Sequence, residues 1–464
     1  MEFIVANHSA SNAESGFWQQ LFAKEDGWSI WIGLGIMLSS LALFVNGSNL
    51  SWLAVVPAKW KNLDDLLNHF QANALRYGAL FLVFAALFGG ALAHLKISFR
   101  HFLPSFLFLF VLSLVIFAIG QWDQASRYNL EPPLLALGIG LLIANTHLVP
   151  SWLEAGFRVE FYIKIGIVLL GATLPITLIL WAGPVAILQA TIVSLTTFGV
   201  IYFTGTKLGL DRRLAATLGA GGAVCGVSGS IAIAGAVGAK KEHAPIAISL
   251  VIFWAIVMIF ALPLISRALL LPTGVAGAWI GTSEFADAAG FAAAQAYGSY
   301  AGQVPGIEGS PDAAVNAFTL IKVIGRDVWI GIWALILSIV ATTRWEDTGV
   351  RGRASVHEIW VRFPKFVLGF FAASIITSLV SQGVDYATYK AKIEPLLVAP
   401  VRNLRTWAFI FSFLSIGLTT RFRDFAQAGW KPVQAFTLGV AVNVVLGYFL
   451  STQVFVESWQ HLGR

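Results

Sequence analysis

The 464-residue chain is 57% hydrophobic and only 12% charged, where soluble domains carry about a quarter charged residues, and its mean hydropathy is +0.76. Those values exclude an ordinary soluble domain and define an all-α polytopic membrane protein. The single cysteine, Cys225, excludes an intramolecular disulfide and a multi-cysteine metal site. The net charge of +6, scattered through short connectors, fits cytoplasmic loops and not a nucleic-acid partner.

In chain order, residues 1–27 hold Glu2, Glu14, Glu25 and Asp26 and show no cleavable leader. Apolar runs of spanning length, roughly 20 residues each, then fall near 28–45, 72–95 and 102–120. These three make residues 1–125 an N-terminal extension ahead of a core at 126–464. Between the first two, WKNLDDLLNHF at 60–70 reads as a short interfacial helix. The core continues with spans near 131–149, 160–180, 184–205, 244–266, 314–343, 365–384, 403–420 and 433–456. Two further stretches, 214–239 and 276–298, are apolar but built of small residues. The expectation is therefore about 11 full spans plus two broken or re-entrant segments. Asn145, Gln189 and Asn443 sit inside apolar spans and suit bonds between helices better than ligand contacts.

The basic connectors set the orientation. Lys96 and Arg100, then Lys207, Arg212 and Arg213, then Arg344, Arg351, Arg353 and Arg362, then Arg421, Arg423 and Lys431 mark cytoplasmic loops, whereas 181–184 and 299–313 hold no Lys or Arg. This places the chain in the inner (cell) membrane with its N-terminus cytoplasmic. Lys240 and Lys241 share the sign of 206–213, so 214–239 either enters and returns from the cytoplasm or crosses as an interrupted helix. The stretch 276–298 has the same two options from the opposite face.

The first small-residue segment, AATLGAGGAVCGVSGSIAIAGAVGA at 215–239, lacks the bulk a lipid-facing helix needs. Its glycines either pack helices closely or interrupt the helix near Gly222–Gly229, which frees N–H groups and a positive helix end for an anion. Gly222, Cys225, Gly226, Ser228 and Ser230 are the candidate substrate-binding residues here, joined by Thr282 and Ser283 of the second segment. In GTSEFADAAGFAAAQAYG at 281–298, Glu284 and Asp287 lie three apart and either sit solvated at a mouth or couple transport to a proton or cation.

Lys322, Arg326 and Asp327 interrupt the span 314–343. The uncharged run after them, 328–343, gives only about 24 Å of helix, short of a hydrocarbon core of roughly 30 Å. Arg326 and Asp327 are therefore drawn into the membrane, and Lys322 and Arg326 either snorkel to the outer interface, pair with Asp327 and another carboxylate, or offset an anionic substrate. Gly171 and Gly183 repeat the spacing of Gly417 and Gly429, each second glycine standing near a proline, on helices of opposite direction. That pattern suggests an inverted repeat.

GAVCGVSGSIAIA (222–234), GIVLLGATL (166–174), RFPKFVLGF (362–370) and LSIGLTTRF (414–422) together resemble the sulfate exporter (YeiH-like) family of the cation–proton antiporter and anion transporter superfamily. The similarity runs from about 130 to 456 and implies inverted repeats around discontinuous helices. Where that family commonly carries His-Glu, this chain has Phe285 and Ala286, and its Lys322/Arg326 pair is one residue wider. The expected function is a secondary transporter of a small anion, sulfate or an organosulfonate, with Glu284 and Asp287 as coupling groups. The alternative is a cation–proton antiporter using the same two acids. No cofactor, metal site, nucleic-acid partner or enzymatic nucleophile–base pair is expected, and a homodimer is compatible with the sequence.

Overall fold

The computed structural model describes residues 24–463 apart from 129, 147–149, 175, 346–363, 386–387 and 424–428. Glu2, Glu14, Arg351, Arg353 and Arg362 thus lie outside the described residues. Among the described ones every regular element is helical, and seven helices are long and apolar enough to cross a bilayer. In chain order the elements are α1 (Glu25–Val45), α2 (Leu63–His94), α3 (Phe99–Gly120), α4 (Pro132–Asn145), α5 (Val159–Gly171), α6 (Ile176–Lys207), α7 (Arg212–Ala223), α8 (Val227–Ala236), α9 (His243–Ala268), α10 (Thr273–Ser283), α11 (Asp287–Gly298), α12 (Pro311–Thr319), α13 (Trp329–Val340), α14 (Phe366–Ser381), α15 (Ala399–Thr419) and α16 (Trp430–Phe449). A π-helical turn, Leu320–Arg326, joins α12 to α13.

Two sequence expectations are corrected. The segment 60–70 is not a separate interfacial helix. Asp65 accepts the Asn62 N–H at 3.2 Å, which starts α2 at Leu63, and no breaker follows to stop it short of His94. The turn between the spans at 160–180 and 184–205 lies near Ala172–Leu174, not at Gly183. Pro184 sits inside α6, while the N–H groups of Thr173 and Leu174 close a tight turn on Leu170 and Gly171. Gly183 is consequently mid-helix, whereas Gly429 precedes α16 at φ +75°, so the matched glycine spacing does not correspond to matched local structure.

The helices pack as two bundles. In the first, α1–α5, α14 and α15 share an aromatic core. Trp407 stacks on Phe110 with centroids 4.8 Å apart and donates its indole N–H to Val55 at 2.8 Å. Helices α1–α3 join this same core instead of forming a unit of their own. The second bundle holds α6–α13 and α16. Helix α11 is its main contact with the first, through Phe291 against Phe409 at 4.9 Å. Polar side chains tie helices together as their apolar surroundings demand. Gln189 bonds Ser451 and Trp459, Asn443 bonds Thr197, and Asn145 bonds the Thr420 carbonyl and the Phe422 N–H.

Both small-residue segments are antiparallel helical hairpins. At the open end of the first, Arg213 of α7 donates to the Gly238 carbonyl just past α8, at 2.6 Å. Higher up, Gly229 of α8 leaves room only for the Ala220 backbone, 3.1 Å from where a Cβ would sit. At the open end of the second, the Tyr297 hydroxyl of α11 donates to the Leu271 carbonyl just before α10, at 2.6 Å. Helix α9 runs from one open end to the other and, with 26 residues, is about 39 Å long. The two hairpins therefore enter from opposite ends of the molecule, and their tips meet near its middle. Each segment thus folds back on itself and does not run on as one interrupted helix.

Candidate functional site at the hairpin tips

Each tip is a short break between two helices. In the first, α7 ends at Ala223, Val224 and Cys225 turn the chain, and Gly226 at φ +68°, ψ −107° starts α8. In the second, Glu284 (ψ 139°) and Ala286 (ψ 132°) are extended around Phe285. The breaks pass in contact: a Cβ on Gly226 would stand 2.6 Å from the Phe285 carbonyl oxygen. Glycine is needed there twice, for its left-handed φ and for the close approach.

Lys322 and Arg326, from the π-helical turn, hold the two tips together. Lys322 Nζ donates to Val224 at 2.7 Å and to Phe285 at 3.1 Å. The Arg326 guanidinium donates to Gly222 (2.9 Å) and Ala223 (3.4 Å) of one hairpin and to Gly281 (3.3 Å), Thr282 (2.8 Å) and Glu284 (2.9 Å) of the other. All these acceptors are carbonyls at the C-terminal ends of α7 and α10, where helix dipoles concentrate partial negative charge. Both side chains are fully buried and do not snorkel outward. Their charge is directed at these helix ends, a task the sequence did not disclose.

The other halves of the hairpins begin at the same place. The N-terminal turns of α8 and α11 present N–H groups that no residue of their own helix can accept. Beside them Val227, Ser228, Ala286 and Asp287 are partly exposed, while Gly226 and Phe285 are buried. Asp287 stands at the first position of α11, its Oδ1 3.6 Å from Lys322 Nζ and without a hydrogen-bond partner. Glu284 is fully buried, its Oε1 accepting the N–H groups of Phe285 (2.9 Å) and Ala286 (3.2 Å) just before α11. Asp327 is buried, and neither of its carboxylate oxygens has a partner.

The structure thus gathers Gly226, Ser228, Asp287, Lys322 and Arg326 at one point; Gly222 and Thr282 reach it only through their carbonyls, and the side-chain positions of the other expected residues turn away. Gly222 faces Ile201 of α6. Cys225 belongs to an apolar cluster with Phe198 and Trp333. The Ser230 hydroxyl lies against Gly221 of its own hairpin. Thr282 donates to the Trp279 carbonyl, and both it and Ser283 pack on Gly447 of α16.

A charged cluster missed in the sequence lies on α5, which contacts α11. Lys164 of α5 pairs with Asp26 at 2.7 Å and Glu160 at 3.1 Å. The i, i+4 spacing of Glu160 and Lys164 within an apolar span was the available signal. At the opposite end of the molecule, Asp312 of α12 joins the two bundles through Arg402 (3.5 Å) and Arg405 (3.8 Å) of α15.

Fold and site together define a polytopic, all-helical membrane protein built around two helical hairpins whose tips meet. The chain belongs to the UPF0324 family of membrane proteins, and the family described as conserved hypothetical protein 698 matches residues 104–435. A UPF0324 membrane protein of Rhodopirellula baltica is 33% identical over 412 residues, 87% of this chain and 72% of that one. One from Nitratidesulfovibrio vulgaris is 32% identical over 365 residues, and the chain spans only 60% of its length. Another, from Nitrosomonas europaea, is 28% identical over 457 residues, 90% of this chain and 93% of that one. No solved structure matches.

Proposed function

We propose that this protein is a secondary transporter of a small anion, with sulfate or an organosulfonate as its substrate class. The observation that carries the reading is the meeting of two helix N-termini, α8 and α11, at a partly exposed point inside an apolar molecule. Such ends offer unpaired N–H donors and positive partial charge, which bind oxyanions without a dedicated cation. Transporters place such sites between discontinuous helices near the membrane midplane. In this reading the seven long helices and the shorter α4, α5, α14 and α15 make eleven crossings. The first hairpin then opens to the cytoplasm and the second to the outside, with the chain in the inner membrane and its N-terminus inside.

Asp287 supplies the coupling. As a carboxylate it would repel an anion between the two helix ends, and carrying a proton it would instead donate a hydrogen bond to it. Proton and anion then travel together, and Glu284, already held by the Phe285 and Ala286 N–H groups, stays in place. Asp287→Asn is expected to keep binding while making transport insensitive to an imposed proton gradient. Uptake of labelled sulfate into proteoliposomes at several external pH values checks this, and a variant that still responds to the gradient would remove Asp287 from the coupling role.

Alternating access follows from the two bundles. The bundle carrying the hairpins shifts against the other, with α11 as the sliding contact. The end of α5 that carries Glu160 and Lys164 is the one the topology places inside, and the Asp312 ion pairs close the opposite end. Asp312→Asn is expected to favour the outward-open form, read as a severalfold gain in labelling of an outer-interface cysteine placed at Asn316. No gain would show that these pairs do not hold the outer end shut.

A second reading has its own support. The unpartnered buried oxygens of Asp287, Asp327 and Glu284 are acceptors that suit a cation or protons. A cation–proton antiporter would release or take up protons in vesicles when Na⁺ or K⁺ is added, without sulfate, and would lose this on Asp287→Asn. Sulfate-dependent flux with no response to either cation favours the first reading.

A further inference from the structure

A groove of about 400 Å³ runs between α6 and α16 on the side of the second bundle away from the first. Its walls are apolar or small, from Gly199, Phe203, Thr204, Leu438 and Val442, and Lys207 closes one end. The helices are antiparallel, so the last turn of α6 lies beside the first turn of α16. Lys431 brings a second ammonium there, 3.7 Å from where a Cβ on Gly209 would sit. Trp430, next to it, is 72% exposed, as suits a ring at the headgroup level of a membrane. The neighbouring acid, Asp211, already accepts the N–H groups of Arg213 and Leu214 at the start of α7. Two lysines thus stand at the mouth of an apolar slot, on the helix ends that the basic connectors mark as cytoplasmic.

We infer that this groove holds one anionic phospholipid, an acyl chain lying along Gly199, Phe203 and Val442 and the phosphate between Lys207 and Lys431. The wall is too apolar for a soluble anion. The two ammonium groups distinguish an acidic headgroup from a zwitterionic one, and juxtamembrane lysines attract anionic lipid in this way. The bound chain would back α6 and α16 behind the first hairpin, where Ile201 and Phe436 pack on Gly222. The site is independent of what the protein transports.

The test is retention of lipid by the full-length protein in mild detergent, read by native mass spectrometry after mixing with dioleoyl phosphatidylglycerol or dioleoyl phosphatidylcholine. One phosphatidylglycerol per chain should be retained in preference to phosphatidylcholine by roughly tenfold or more. The Lys207→Ala/Lys431→Ala double variant should bind the two lipids equally. Gly199→Leu should lose the bound lipid altogether, and it is compatible with folding because a Cβ at Gly199 meets only the Phe203 ring, at 4.0 Å. Equal retention of the two lipids by the unaltered protein, or an undiminished preference in the double variant, would overturn the proposal. So would inorganic phosphate displacing the lipid, since the occupant would then be a free anion.

Discussion

Arg326→Ala is expected to leave the protein without a stable pair of hairpin tips, and so without transport. Five carbonyls from two hairpins converge on that one guanidinium in the interior of the molecule. Each buried polar group left without a partner costs about 1–3 kcal/mol. Losing several at once exceeds what a single apolar contact could restore, and the total is expected to be at least ~3 kcal/mol. Arg326→Lys should recover only part of this. A lysine is a point charge with three donors, and it cannot span both helix ends as the planar fork does. A thermal shift of detergent-purified protein measures the loss. An unchanged melting temperature in Arg326→Ala would mean that the tips hold together without the clamp.

Gly226→Ala carries the second large effect, and it acts from the opposite side of the same contact. The left-handed φ of +68° costs an L-residue about 1–2 kcal/mol. The added methyl would also meet the Phe285 carbonyl at 2.6 Å and a Val251 methyl at 2.7 Å. Neither the backbone of the second hairpin nor the packed α9 can yield without separating the tips. Transport should be abolished, with the melting temperature lowered. Gly235→Ala, on the same hairpin, meets nothing within 4 Å and sits in helix. It should be neutral or stabilising, by up to about 1 kcal/mol. Equal behaviour of the two variants would detach the effect from the crossing point.

How far the sequence foretold this can be judged residue by residue. The density of Gly, Ala and Ser over 214–239 and 276–298 marked both hairpins, because such segments cannot face lipid. The 16-residue uncharged run after Asp327 drew Arg326 into the membrane. Whether the hairpins returned was not legible, since it depends on Arg213 reaching Gly238 and Tyr297 reaching Leu271, contacts between residues 25 and 26 positions apart. The task of Lys322 and Arg326 was hidden for a related reason. Their acceptors are backbone carbonyls, and a sequence does not say where a helix will end and expose them. Pro184 misled, because a proline after a glycine reads as a turn yet is accommodated within α6. The pairing of Asp26 with Glu160 and Lys164 was not legible because each reads as an ordinary charge at the edge of a span.

In the proposed function, the N-terminal turns of α8 and α11 form a water-accessible site for an anion where the hairpins meet. Its most direct test is thiol labelling in a Cys225→Ala background, with Ser228→Cys as the reporter, Gly235→Cys as the control, and a charged, membrane-impermeant methanethiosulfonate as the probe. Position 228 is expected to react when the probe reaches the cytoplasmic face, and sulfate or a transported sulfonate is expected to slow this reaction without affecting position 235. Failure of position 228 to react from either face, or a rate indifferent to every anion the protein carries, would contradict it.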